Sequence, residues 1–153
     1  MSPRFASRLL LMAACFSCDA HASEAGLLAY DIVGDAVPAA LGGLLGDPER
    51  GREIVLDRRS GNCLICHALP AIDQHFQGEL GPALAGVGER LSTGQIRLRL
   101  IDQSRINATT IMPPYYRVDA LSHVAPEYIG QTALQAQQIE DVVAYLSTLS
   151  SSP

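Results

Sequence analysis

Cys63-Leu64-Ile65-Cys66-His67 sets two thiols three positions apart with a histidine directly behind them. Thiols at that spacing can add across the two vinyl groups of one haem, and the following histidine then meets the iron as its proximal ligand. Zinc sites and redox dithiols also use Cys-x-x-Cys, so those chemistries compete. A structural zinc site usually needs four protein ligands. Beyond residue 22 the only cysteines and histidines are Cys63, Cys66, His67, His75 and His123, with no H-x-x-x-H pair. A redox dithiol should follow a strand and open a helix, whereas this pentad follows the turn-like Arg59-Ser60-Gly61-Asn62. The pattern favours one covalent haem c held by Cys63 and Cys66, with His67 on the iron, and hence electron transfer or a redox step.

An iron with one histidine has a sixth position to fill. Met112 is the only methionine beyond residue 22, 45 positions after His67, and Pro113 and Pro114 restrict the backbone beside it. A thioether is a soft donor that favours the reduced metal, so Met112 is the expected second metal ligand; the competing reading is a gap-filling core methionine. His75, in a polar loop, and His123, between two expected elements, are its rivals.

These residues need elements to carry them, and the first stretch supplies none. Arg4 and Arg8, the apolar run Leu9 to Phe16 and Ala20-His21-Ala22 have the layout of a secretory signal peptide over residues 1–22, cut after Ala22. A lipoprotein-type cut before Cys15 competes, but the apolar stretch ahead of that cysteine is short. The remaining 131 residues suit one domain, with no run long enough to span a bilayer, and the expected compartment is the periplasm. Net charge is −5, and losing Arg4, Arg8 and Asp19 makes it −6. All 11 basic side chains are arginines, so the chain cannot build the lysine ring through which small electron carriers often dock. It also lacks the basic field that nucleic acid requires.

Residues 23–46 show no sustained helical period and read as an N-terminal arm lying on the domain or on a partner; residues 47–150 then form the main domain. Asp47-Pro48-Glu49 has the order of N-cap, first helical residue and first-turn acid, predicting a helix through Asp57. Residues 68–91, rich in Gly and Pro, read as loop around the cofactor. Ser92-Thr93-Gly94-Gln95 and Thr132-Ala133-Leu134-Gln135 have the form of capping boxes opening two more helices. The last helix places Ile139, Val142, Val143, Leu146 and Leu149 on one face. No strand alternation appears. The fold class is all-α.

The order C-x-x-C-H, Gly81-Pro82, Met112-Pro113 and a last helix bearing Tyr145 resembles a class I cytochrome c. Longer phrases are more specific: Gly46 to Gly51, Asp57 to His67, Met112 to Val118, and Ala136 to Leu146. Together they resemble the SoxX family, the small monohaem cytochrome subunits of SoxAX, an L-cysteine S-thiosulfotransferase. The resemblance spans about residues 28–149. It implies that the Pro82 carbonyl orients His67, and that Gly51 and Tyr145 let the first and last helices cross closely. It further implies a heterodimer with a SoxA-like cytochrome that joins thiosulfate to a cysteine of the SoxYZ carrier. This chain would be the electron-accepting subunit, not catalytic alone, passing electrons to an external acceptor cytochrome. The chain departs from the family at Ala120, where a glycine is usual, and at His123, where a basic residue is usual. A free-standing electron carrier and a haem sensor remain as alternatives.

Overall fold

The computed structural model describes residues 27–69 and 74–151; the expected leader over residues 1–22 lies outside them. Among the described residues four α-helices form: α1 (Pro48–Leu56), α2 (Val87–Arg90), α3 (Thr93–Asp102) and α4 (Ala136–Ser147). Short 3-10 turns occur at Leu41–Gly43, Cys63–Ile65, Gln103–Arg105 and Pro126–Tyr128. The described residues contain no strand beyond an isolated bridge between Val33 and Ala36, so the class is all-α as expected.

Helix α1 starts where its cap predicts. The Asp47 carboxylate accepts the backbone N–H of Glu49 at 2.8 Å and of Arg50 at 3.2 Å, satisfying donors that the first turn leaves free. Its buried face is Gly51 and Val55, which packs against α4 more extensively than any other pair of helices touches. The close approach depends on Gly51: a Cβ there would strike the Asp141 carbonyl and come within 2.9 Å of the Tyr145 Cβ. The crossing expected from Gly51 and Tyr145 is therefore present.

Helix α3 also opens on its predicted box, with the Ser92 N–H donating to the Gln95 side chain at 2.9 Å and the Gln95 N–H to the Ser92 hydroxyl at 3.3 Å. The last helix corrects the expectation. Thr132 does not cap it; α4 begins one turn later, where Gln138 Oε1 accepts the Gln135 N–H at 2.8 Å. Leu134 is the reason. Its side chain is buried in the core and its N–H donates to the Tyr115 carbonyl at 2.9 Å, so that N–H is committed to a long-range partner and the helix starts only after it.

Residues 27–46 lie against the helices. Val37 and Leu41 belong to the core beside Ile96, Ile101 and Ile139. The Val37 N–H donates to the Gly94 carbonyl at 2.9 Å, and the Leu41 N–H to the Glu140 carboxylate at 2.9 Å. Arg97 and Glu140 form a two-pronged pair, both contacts 2.8 Å, with side-chain exposures of 6% and 3%. Arg97 also donates to the Val37 carbonyl at 2.8 Å, fastening this segment to α3 and α4 together. Leu27, Leu28, Ile32, Val33 and Leu45 stay exposed.

Candidate functional site

The turn before the pentad is tight. Asn62 takes a left-handed φ of 49°, and a Cβ on Gly61 would come within 2.5 Å of the Ile54 carbonyl and 3.2 Å of Cys63 Sγ. The 3-10 turn Cys63–Ile65 buries Leu64 as its anchor, while the half-buried Cys63, Cys66 and His67 face a cleft of about 890 Å³. That size falls within the roughly 300–1,000 Å³ usual for cofactor sites. Gly81, Pro82, Met112, Tyr115 and Leu146 also line it.

His67 Nδ1 lies 2.7 Å from the Pro82 carbonyl oxygen. A carbonyl only accepts, so Nδ1 carries the proton and donates; in the neutral ring that tautomer puts the free lone pair on Nε2, the arrangement a metal needs. Gly81 makes room for the ring. A Cβ there would touch Cε1 and lie 2.7 Å from Nδ1 and 2.8 Å from Nε2. The family-derived expectation for Pro82 is met; the steric part of Gly81 was not read from the sequence.

Burial pushes the Cys63 thiol up to about 11, with the Tyr115 hydroxyl pulling the other way. A redox dithiol needs the opposite, a thiol held low enough to ionise near neutrality. A buried, neutral sulfur beside an apolar cleft suits a site that becomes a thioether. Tyr115 is itself pushed up by burial and by the neighbouring Cys63.

Of the three candidates for a sixth ligand, Met112 lines the cleft, half-buried and packed against the core. Its N–H donates to the Thr110 hydroxyl at 3.1 Å. His75 is exposed outside the cleft, edge-on to Phe76 with ring centroids 6.3 Å apart. His123, also exposed, lines a separate hollow of about 330 Å³. The donor set facing the cleft thus fits a haem: two sulfurs for attachment, an oriented imidazole and a thioether.

The family model described as Cytochrome c matches residues 48–150. The chain belongs to the cytochrome c family. Among solved structures it is similar to the crystal structure of SoxXA from P. pantotrophus, with 36% sequence identity and a TM-score of 0.71. The match covers 78% of this chain and 93% of that one, and sets this cytochrome with the SoxX type. No curated protein sequence matches the chain. Membership implies a covalent haem c, and the cleft residues fit that group. Among the described residues no helix is long and apolar enough to cross a membrane. Ala120 has a φ of 52°, the region that glycine adopts without strain.

Proposed function

We propose that this cytochrome is the periplasmic, monohaem, electron-accepting subunit of a SoxAX complex that conjugates thiosulfate oxidatively to a cysteine of the SoxYZ carrier. The observation that carries the reading is the cleft that gathers Cys63, Cys66, His67 and Met112 in a chain similar to SoxXA. Bound haem supplies a one-electron store. Cys63 and Cys66 would hold it by thioether bonds, and His67, its Nδ1–H held by Pro82, would present Nε2 to the iron. Met112, lining the same cleft, would offer a soft sulfur donor, which favours the reduced metal. Leu84, Leu100 and Leu146 in the walls exclude water.

Forming the carrier S-thiosulfonate joins a cysteine sulfur to the outer sulfur of thiosulfate, releasing one proton and two electrons. Once both pentad cysteines are thioethers, no thiol remains beyond residue 22 to take part in that bond. The sulfur chemistry therefore belongs to the SoxA-like partner, while this chain accepts electrons singly and passes them to an external cytochrome. Co-expression with the partner and purification through a tag on this chain tests the reading. A second haem-staining polypeptide should co-purify in a fixed ratio. A lone, stable monomer with no retained partner would favour the free-standing carrier and overturn the subunit assignment.

A further inference from the structure

The segment carrying Met112 and the turn carrying Cys63 are far apart in sequence, and one side chain joins them. The Tyr115 hydroxyl donates to the Gly61 carbonyl at 2.8 Å. The same residue is fixed twice through its backbone: its N–H donates to the Leu100 carbonyl at 3.1 Å, and its carbonyl accepts the Leu134 N–H at 2.9 Å. Tyr115 is thereby tied to α3, to the approach to α4 and to the attachment turn. On the other side of Met112, the Thr110 hydroxyl takes the Met112 N–H. Gly61 is a sensitive place to anchor, because there is no room beside it even for a Cβ, which would come within 2.5 Å of the Ile54 carbonyl and 3.2 Å of Cys63 Sγ.

We propose that Tyr115 is a positioning residue for the sixth iron ligand, its hydroxyl locking the Met112 loop to the turn that attaches the haem. The proposal rests on Met112 being that ligand. A thioether is a neutral donor, so how often its sulfur leaves the iron depends on how often its loop opens. Loop opening is governed locally by buried hydrogen bonds and packing. Replacing the hydroxyl by hydrogen keeps the ring in the cleft wall and removes the hydroxyl's contacts with the attachment turn, the tie to Gly61 and the neighbouring Cys63 sulfur.

Tyr116 supplies the control. It is the next residue, also buried, and its hydroxyl accepts the Leu28 N–H at 2.9 Å, away from the attachment turn. The probe is cyanide added to the oxidised holoprotein, which takes the sixth position only after the sulfur has left. Tyr115→Phe should bind cyanide about tenfold faster than wild type, the worth of about one buried hydrogen bond. Tyr116→Phe should stay within about twofold. Both should keep the haem and lose similar thermal stability, so general loosening would not separate them. Equal cyanide rates in the two variants overturn the brace while leaving Met112 as ligand. A wild type without the weak red charge-transfer band, together with an unchanged cyanide rate in Met112→Ala, overturns the ligand assignment and the brace with it.

Discussion

Breaking the Arg97–Glu140 pair from one side should remove a large share of this domain's stability, and breaking it from both sides should cost much less than the sum. Each charge is almost wholly buried, at 6% and 3% side-chain exposure, and the two contacts are 2.8 Å each. In Arg97→Met the Glu140 carboxylate keeps only the Leu41 N–H as a donor, and the Val37 carbonyl loses the guanidinium. In Glu140→Leu the guanidinium keeps only the Val37 and Pro38 carbonyls. Removing one member of a buried pair typically costs about 3–5 kcal/mol, against a total stability of roughly 5–15 kcal/mol. Each single variant should therefore lower the melting temperature by about 10–20 °C. The double variant places two apolar side chains face to face, leaving backbone groups of residues 37, 38 and 41 to find new partners. Urea unfolding of the four holoproteins should give a coupling of about 2 kcal/mol or more. Additive losses, or a single variant within about 1 kcal/mol of wild type, would refute the reasoning.

Gly81→Ala should keep the haem, because the thioethers do not depend on it, yet push the His67 ring away from the Pro82 carbonyl now 2.7 Å from Nδ1. High-spin character in the visible spectrum and a shifted reduction potential are the expected outcome, and wild-type spectra would contradict it. Acid should also loosen the α1–α4 crossing. Burial pushes Asp141 up, but hydrogen bonds from Arg50, the Asp47 N–H and Gln137 outweigh it, so its carboxyl is held below the usual 3.8. Asp102 is likewise lowered, its burial outweighed by Ser104 and Arg117. Groups depressed in the folded state stabilise it fully above their unfolded value and lose that contribution as pH falls through the folded one. Stability should hold above about pH 4 and decline below it. In Asp141→Asn, thermal melting across that range should show a shallower decline.

Much of the site was legible because its chemistry is local. The pentad needs only adjacent residues, and α1 and α3 begin on caps whose partners lie within three positions, Asp47 with Arg50 and Ser92 with Gln95. The start of α4 was misread because Thr132-x-x-Gln135 satisfies the same local pattern, while the deciding bond, from Leu134 to Tyr115, is long-range. Apolar periodicity likewise leaves Glu140 and Asp141 off the buried face of α4. Both are buried because Arg97 and Arg50 arrive from other helices to meet them. The tie from Tyr115 to Gly61 spans 54 positions and carries no sequence signature. Val37 and Leu41 enter the core from a stretch without helical period, through backbone hydrogen bonds that any residue type can make.

The central claim is that this cytochrome takes electrons released when thiosulfate is joined to the carrier. Freeze-quenched electron paramagnetic resonance of the oxidised complex tests it most directly, with this chain's low-spin ferric signal first identified on the isolated subunit. On mixing with thiosulfate and the SoxYZ carrier, that signal should disappear as the cysteine S-thiosulfonate forms, and it should persist when the partner or the carrier is left out. Formation of the S-thiosulfonate with the signal undiminished would contradict the account.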